Sequence, residues 1–350
     1  MPTTSNSKLR GAVLRLVLLI AVAIIFYYAK GLLLPLVVAA MVAMLLNPIQ
    51  EKLLAWGLPN GLSITGAILV LLLFFGGVFA MIGQQAATFA ENWPETQQKI
   101  SFQLNNLRVE YGLDGLIPKI PEDQGGSGDE QIMEELPVSG SGILSFLSGS
   151  FGVLGDFLLM IIYAILLLME KDRLREFVLR AMPDKDRGLT HQTLNESRDV
   201  VQKYLRGYVI LIGILAVLYS TGFLIIGMDY AILIALLAAV MAIIPYLGNI
   251  IGGFFAAALA FSSGGGMPAV YGVLITMSIA QMLESYVLTP MIVGDEVSLN
   301  PLTTIICVVG MSILWGPIGA IIAIPMFAIL RIVFSHVDGL KNYAYLIGQK

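Results

Sequence analysis

An all-α polytopic membrane protein is the fold class that the sequence predicts, with about six full spans, two broken or re-entrant helical hairpins, and an extramembrane outer helix and linker. Three observations predict it. Of the 350 residues 57% are hydrophobic and 13% charged, well below the roughly one quarter charged in soluble domains, and the mean hydropathy is +0.84. Several apolar runs approach or pass the ~18 residues that mark a crossing helix, because about 20 residues rising ~1.5 Å each traverse the hydrocarbon core. Two further runs are too long for one span and carry Pro and Gly near their middles, which removes a backbone donor and loosens the helix.

In chain order, the run 11 to 29 follows Lys8 and Arg10 and ends in Phe26-Tyr27-Tyr28-Ala29 without a small-x-small cleavage site, so it is expected to be retained as a helix. With the runs 31 to 46 and 62 to 83 it makes a first block of three spans over 1–83. An outer segment, 84–150, follows. Ile100, Leu104, Leu107 and Tyr111 share one helix face there, suited either to a neighbouring subunit or to the protein's own membrane surface. Pro118 to Gly142 is rich in Pro, Gly, Ser and acids and reads as a flexible linker. A fourth span is expected over 151–169, then amphipathic cytoplasmic helices over 170–207, in which Leu174, Phe177, Val178 and Ala181, and then Leu194, Val201, Tyr204 and Leu205, recur at helical spacing. The core region, 208–334, holds spans at 208 to 226 and 268 to 289 and the two broken stretches 230 to 262 and 302 to 334; a tail, 335–350, closes the chain.

Basic residues set the orientation. The segment from Glu170 to Gly207 carries nine Lys and Arg, whereas Gln84 to Ser150 has Lys99, Arg108 and Lys119 against ten acids. The positive-inside rule then puts the former, and both termini, in the cytoplasm. An even number of crossings follows. Either each broken stretch returns to the side it entered from, giving opposed re-entrant hairpins, or each arm is a short full crossing and there are about ten spans.

Several polar residues stand out against this background. Glu284 is the only charge in over twenty residues, and Gln281 and Ser278, three and six positions earlier, share roughly its helix face. A charge inside a span costs at least ~2.5 kcal/mol on insertion scales and ordinarily faces a cavity or partner. Glu284 is therefore either a pathway residue or a carboxylate near the inner interface held by a loop. Asn249, at the first break, either coordinates a cation or small polar molecule or caps the second arm. Pro245, Gly248, Pro290, Gly294, Gly316, Pro317, Gly319 and Pro325 are the candidate hinges and gates.

Other chemistry finds no footing. Cys307 is alone, and with His191 and His336 the only histidines, a zinc or haem site is not expected. The chain lacks a phosphate-binding Gly-x4-Gly-Lys loop, a His-Glu-x2-His helix and a Gly-x-Ser-x-Gly elbow. No cofactor, no enzymatic activity and no nucleic-acid partner are expected.

The residues GLLLPLVVAAMVAMLLNP at 31 to 48, YLRG at 204 to 207, IPYLGNIIGG at 244 to 253, the run from Gln281 to Pro301, and GPIGAIIAIP at 316 to 325 resemble, in this order, the autoinducer-2 exporter family of bacterial permeases. The resemblance covers nearly the whole chain. It implies an inner-membrane transporter of about eight membrane segments that forms homo-oligomers. It also implies that Arg206, Gly207, Glu284, Pro290, Gly294, Asn300 and Pro301 belong to family motifs, with Asn300-Pro301 standing where many relatives have His-Pro. The cargo it leaves open: some members export the signalling precursor, others exchange sodium or lithium for protons. Three functions are thus expected in order: export of a small polar metabolite past Glu284, with the lipid bilayer as surroundings and Na+ or H+ as candidate coupling ions; cation/proton antiport at Glu284; or a non-transporting membrane scaffold.

Overall fold

The computed structural model describes residues 24–92, 140–242, 247–261, 265–293 and 299–349, together with positions 13, 17, 18, 20–22, 98, 99, 102 and 105. Helix α1 is Lys30–Ala55, α2 Asn60–Glu91, α3 Gly140–Ala181, α4 Arg187–Ile226, α5 Ala231–Met241, α6 Leu247–Ala260, α7 Gly266–Leu283, α8 Pro301–His336 and α9 Lys341–Ile347; a 3-10 turn, Asp184–Asp186, joins α3 to α4. A π-helix, Glu284–Val293, continues α7. Among the described residues no strand occurs, and the one extended pairing is the bridge between Leu299 and Gly348. By length and composition five helical segments can cross a membrane: Lys30–Ala55, Asn60–Phe89, Asp184–Ile226, Gly266–Ile292 and Pro301–His336. The protein is an all-α polytopic membrane protein.

Helix bounds refine the sequence expectations. Of the expected first span, 11 to 29, residues 24–28 and positions 13, 17, 18 and 20–22 are helical, whereas the outer helix face of Ile100, Leu104, Leu107 and Tyr111 lies outside the described residues. The expected linker ends inside α3, which starts at Gly140. The charged stretches expected as separate surface helices are continuous with the apolar ones: α3 runs through the charges to Ala181, and α4 runs from Arg187 into its apolar half without a break. The reason is local. Neither junction contains Pro, and Gly207 alone does not stop a helix whose neighbours are good helix formers.

Residues cluster into two compact units. The first comprises Met1–Ile64, Asp156–Val201 and Val297–Lys350, the second Thr65–Gly155 and Gln202–Glu296. In the first unit Lys171 on α3 reaches α1: its Nζ donates to Asn47 Oδ1 at 2.7 Å and to Gln50 Oε1 at 3.1 Å. Gln50 is fully buried and its amide donates onward to Asn60 Oδ1 at the start of α2, 2.8 Å away. Asn47 donates to Glu51 at 2.7 Å, and Arg198 on α4 meets the same carboxylate at 3.3 Å. Four helices are thereby tied by side chains that satisfy one another, as buried polar groups require. Farther along, Trp315 of α8 stacks on Phe26 with centroids 5.5 Å apart and donates its indole N–H to the Phe26 carbonyl at 2.9 Å.

In the second unit the core is a row of residues one helical turn apart on α4 (Leu211, Leu215, Tyr219 and Phe223) packed with Leu233, Ala235 and Ala239 of α5, Ala256 and Ala260 of α6, and Ala269, Val273 and Met277 of α7. The many alanines allow close backbone approach, which is how helices associate where lipid replaces water. At Gly252 a Cβ would lie 3.0 Å from the Cα of Ala238, so α5 and α6 touch almost backbone to backbone.

Both broken stretches are broken in three dimensions. The arms α5 and α6 have 11 and 14 residues, and at ~1.5 Å per residue they reach roughly 16 and 21 Å, short of the ~30 Å hydrocarbon thickness. Residues 243–246 between them, Pro245 included, lie outside the described residues. In α8 the break is explicit. Gly316 has φ 67° and ψ −155°, a conformation that penalises any side chain, and Pro317 then opens the second arm, where its missing N–H has no partner to lose. In a continuous helix residues eight apart sit ~12 Å apart along the axis. Instead, a Cβ on Gly319 would lie 2.1 Å from the carbonyl oxygen of Met311, so the chain doubles back.

Candidate functional site

Three elements of the second unit bring polar groups together among apolar residues. Gln281 lies at the end of α7 and Glu284, one turn on, opens the π-helix; Asn249 lies in the first turn of α6, and Tyr219 lies about two turns before the end of α4. The Asn249 amide donates to Gln281 Oε1 and, at 3.4 Å, to Glu284 Oε2. Tyr219, fully buried, donates its hydroxyl to Asn249 Oδ1 at 3.4 Å. Gln281 passes the chain on, donating from Nε2 to Ser285 Oγ at 3.0 Å. The direction of donation is thus fixed from Tyr219 through Asn249 to Gln281 and Ser285, with a branch to Glu284.

Among the described residues no Lys, Arg or His pairs with Glu284, and its second carboxylate oxygen has no hydrogen bond. The carboxylate is half-buried. What it can do chemically follows: it can take up a proton, hold a cation with the neighbouring carbonyl and hydroxyl oxygens, or accept from the hydroxyl of a solute. The local fold supports access, because the backbone beyond Leu283 leaves the α pattern for the wider π pattern, with Pro290 inside it. Such π segments concentrate at functional sites.

Of the other residues singled out by the sequence, Ser278 is exposed on α7 and takes no part in this hydrogen-bonded group. Gly248 lies in the first turn of α6 beside Asn249, while Pro245 and Gly294 lie outside the described residues. Gly316, Pro317, Gly319 and Pro325 form the break and second arm of α8, with Pro325 buried. Arg206 is exposed and Gly207 buried on α4. Asn300 is a structural cap. Its Oδ1 accepts from Thr303 N–H at 2.7 Å with Pro301 behind it, and its Nδ2 donates to the Leu346 carbonyl at 2.6 Å, so it fixes the start of α8 to α9. Tyr219 and Ser285 had no distinguishing signal in the sequence, since both sit in apolar helix among many similar residues.

Residues 16–339 match the family model described as "AI-2E family transporter". Among known proteins, the chain is 28% identical to the "Putative transport protein YrrI" of Bacillus subtilis, covering 88% of this chain and 87% of that one. It is 27% identical to the "Putative permease PerM" of Escherichia coli K12, covering 92% of each.

Proposed function

We propose, since this chain belongs to the AI-2E transporter family and is therefore a membrane transport protein, that it is a secondary transporter exporting a small polar metabolite, of the kind of the signalling precursor autoinducer-2. The Glu284, Asn249 and Gln281 group is its binding site. The observation that carries this reading is a carboxylate that accepts from the Asn249 carboxamide, itself bonded to Gln281, and that pairs with no cationic side chain among the described residues. Carboxamides and hydroxyls recognise a polyol by donating and accepting in turn. A carboxylate whose second oxygen has no hydrogen bond among the described residues supplies the strongest acceptor and takes up the coupling proton or sodium. The interruptions of the two apolar stretches, at Pro245 and at Gly316-Pro317, serve as gates, and the arms around them dip into the inner membrane from opposite sides, both termini facing the cytoplasm. A homo-oligomer is the working assembly.

A second reading, sodium or lithium exchange for protons, is favoured by one feature: the Glu284 carboxylate lies with the amide carbonyl oxygens of Asn249 and Gln281 and the Ser285 hydroxyl, oxygen ligands of the kind hard cations take. Proteoliposomes of the protein and of Glu284→Gln, loaded with sodium, with a proton gradient, or with a dihydroxylated furanone, separate the two. Metabolite efflux that requires Glu284 supports export; a sodium-dependent proton signal that vanishes in the variant supports exchange. Well-inserted protein with neither signal overturns both and leaves the scaffold.

A further inference from the structure

We propose that the cleft between the end of α8 and the α9 segment is a binding site for a phosphate-bearing anion, the fastening point of the carboxyl-terminal segment. The cleft has a volume of about 260 Å³ and is lined by Arg331, Ser335, Lys341, Tyr345, Gly348 and Gln349, among others. That is several times the ~30 Å³ a water molecule occupies, enough for a phosphate and the group esterified to it.

Its chemistry is one-sided. Arg331 is half-buried, yet among the described residues it has neither a hydrogen-bond partner nor an ion pair. A guanidinium is always charged and presents a planar fork of donors that matches two phosphate oxygens. Lys341 also lines the cleft, its ammonium paired with the exposed Asp338 carboxylate at 2.7 Å. The Tyr345 hydroxyl and the Gln349 amide add uncharged donors, and among the described residues no acidic side chain lines the cleft. Two cations from two helices, with no acidic side chain among the described lining residues, are arranged to take an anion.

Gly348 shows that the space beside Arg331 is kept open. Its φ is −81°, which any residue adopts, so backbone conformation does not demand glycine. A Cβ there would instead lie 2.7 Å from Arg331 Nε and 2.9 Å from the Ala344 carbonyl oxygen. The same segment pairs with the start of α8, through the Leu299 bridge to Gly348 and the Asn300 bonds to Leu346 and Ile347. An anion bridging Arg331 and Lys341 thus joins the end of α8 to the segment that holds its beginning.

The shared chemistry is a phosphate mono- or diester, whose source is either a free solute or an anionic lipid headgroup. Full-length protein in a neutral detergent is titrated calorimetrically with inorganic phosphate and, separately, with short-chain phosphatidylglycerol, using short-chain phosphatidylcholine as the zwitterionic control. Saturable binding of either probe, weakened about tenfold or more by Arg331→Gln and less by Arg331→Lys, is the expected result. Phosphate binding that competes with the lipid identifies a solute site; phosphatidylglycerol binding without phosphate binding identifies a headgroup site. Gly348→Ala keeps both cations and crowds the guanidinium, so it must also weaken binding, and it serves in place of Arg331→Gln if that variant does not fold. Absence of binding of both probes to the unaltered protein, or binding by the folded variants equal to its own, overturns the proposal.

Discussion

Replacing Gly319 with alanine tests the reversal of α8 with a single methyl group. The added Cβ would lie 2.1 Å from Met311 O, 2.8 Å from Met311 C and 2.9 Å from Trp315 Cβ. None of these atoms belongs to the far end of a flexible side chain, so none can rotate away. To move from 2.1 Å to the 3.4 Å at which ordinary contact begins, the two arms must part by about 1.3 Å. Overpacking of well-packed sites costs ~1–3 kcal/mol, and rigid neighbours put this site at the upper end. At 1.4 kcal/mol per factor of ten, ~3 kcal/mol depletes the closed turn about a hundredfold. The control is Gly310→Ala in the first arm of the same helix, where a Cβ meets nothing within 4 Å and alanine should gain roughly 0.5–1 kcal/mol. Thermal unfolding of the two purified variants, read with transport in proteoliposomes, decides the matter: Gly319→Ala should melt well below the unaltered protein and Gly310→Ala at or slightly above it. Equal melting of the two variants would refute the reversal at Gly316 as described.

Tyr219→Phe removes one long hydrogen bond to Asn249; stability should fall by no more than about 1 kcal/mol, while flux drops more than melting temperature does. Lys171→Met leaves the buried Asn47 and Gln50 oxygens without their donor, at ~1–3 kcal/mol per unsatisfied group; a double variant with Gln50→Leu should recover part of the melting temperature. Asn300→Ala removes the cap of α8 and a bond to Leu346, so ~1 kcal/mol is lost and limited proteolysis should cut within 341–349 sooner. The Lys341 ammonium, by hydrogen bond and charge, holds the Asp338 carboxyl below its ordinary range. A lowered folded value means the pairing supports the structure above the usual aspartate range and is lost as pH falls through the lowered value. Amide exchange over 337–341 should accordingly accelerate only in strongly acidic buffer, and Asp338→Asn should abolish that dependence.

Sequence alone makes Glu284, Gln281 and Asn249 visible because each is polar where lipid or apolar helix is expected, and the fold brings all three together. The two breaks are legible for a similar reason, since Pro and Gly interrupt otherwise unbroken apolar runs. Ser278 satisfies the same face arithmetic as Gln281 yet stays outside the group. Helical periodicity fixes a direction around α7 but not how far a neighbouring helix extends along it. Tyr219 is silent in the sequence because a tyrosine serves equally well as core, interfacial anchor or ligand. Lys171, Asn47 and Gln50 look like ordinary polar residues near span ends, and only the packing of α1 against α3 makes them a buried latch. Asn300 invites comparison with the histidine of relatives, whereas its geometry is that of a helix cap.

The interleaving of the two units has a consequence for the order in which the newborn chain matures. Every segment of the second unit precedes Val297, whereas the first unit needs the segment that begins there. Asn47 and Gln50 obtain their ammonium partner once Lys171 has been synthesised, but Phe26 waits for Trp315. At ~5–20 residues per second the interval between those two events is about 7 to 29 s. A chain interrupted in that interval holds the latch between α1 and α3 but leaves an aromatic face of its earliest helix bare. Quality control that recognises unmatched aromatic surface inside a membrane would thus see an unfinished molecule until α8 arrives.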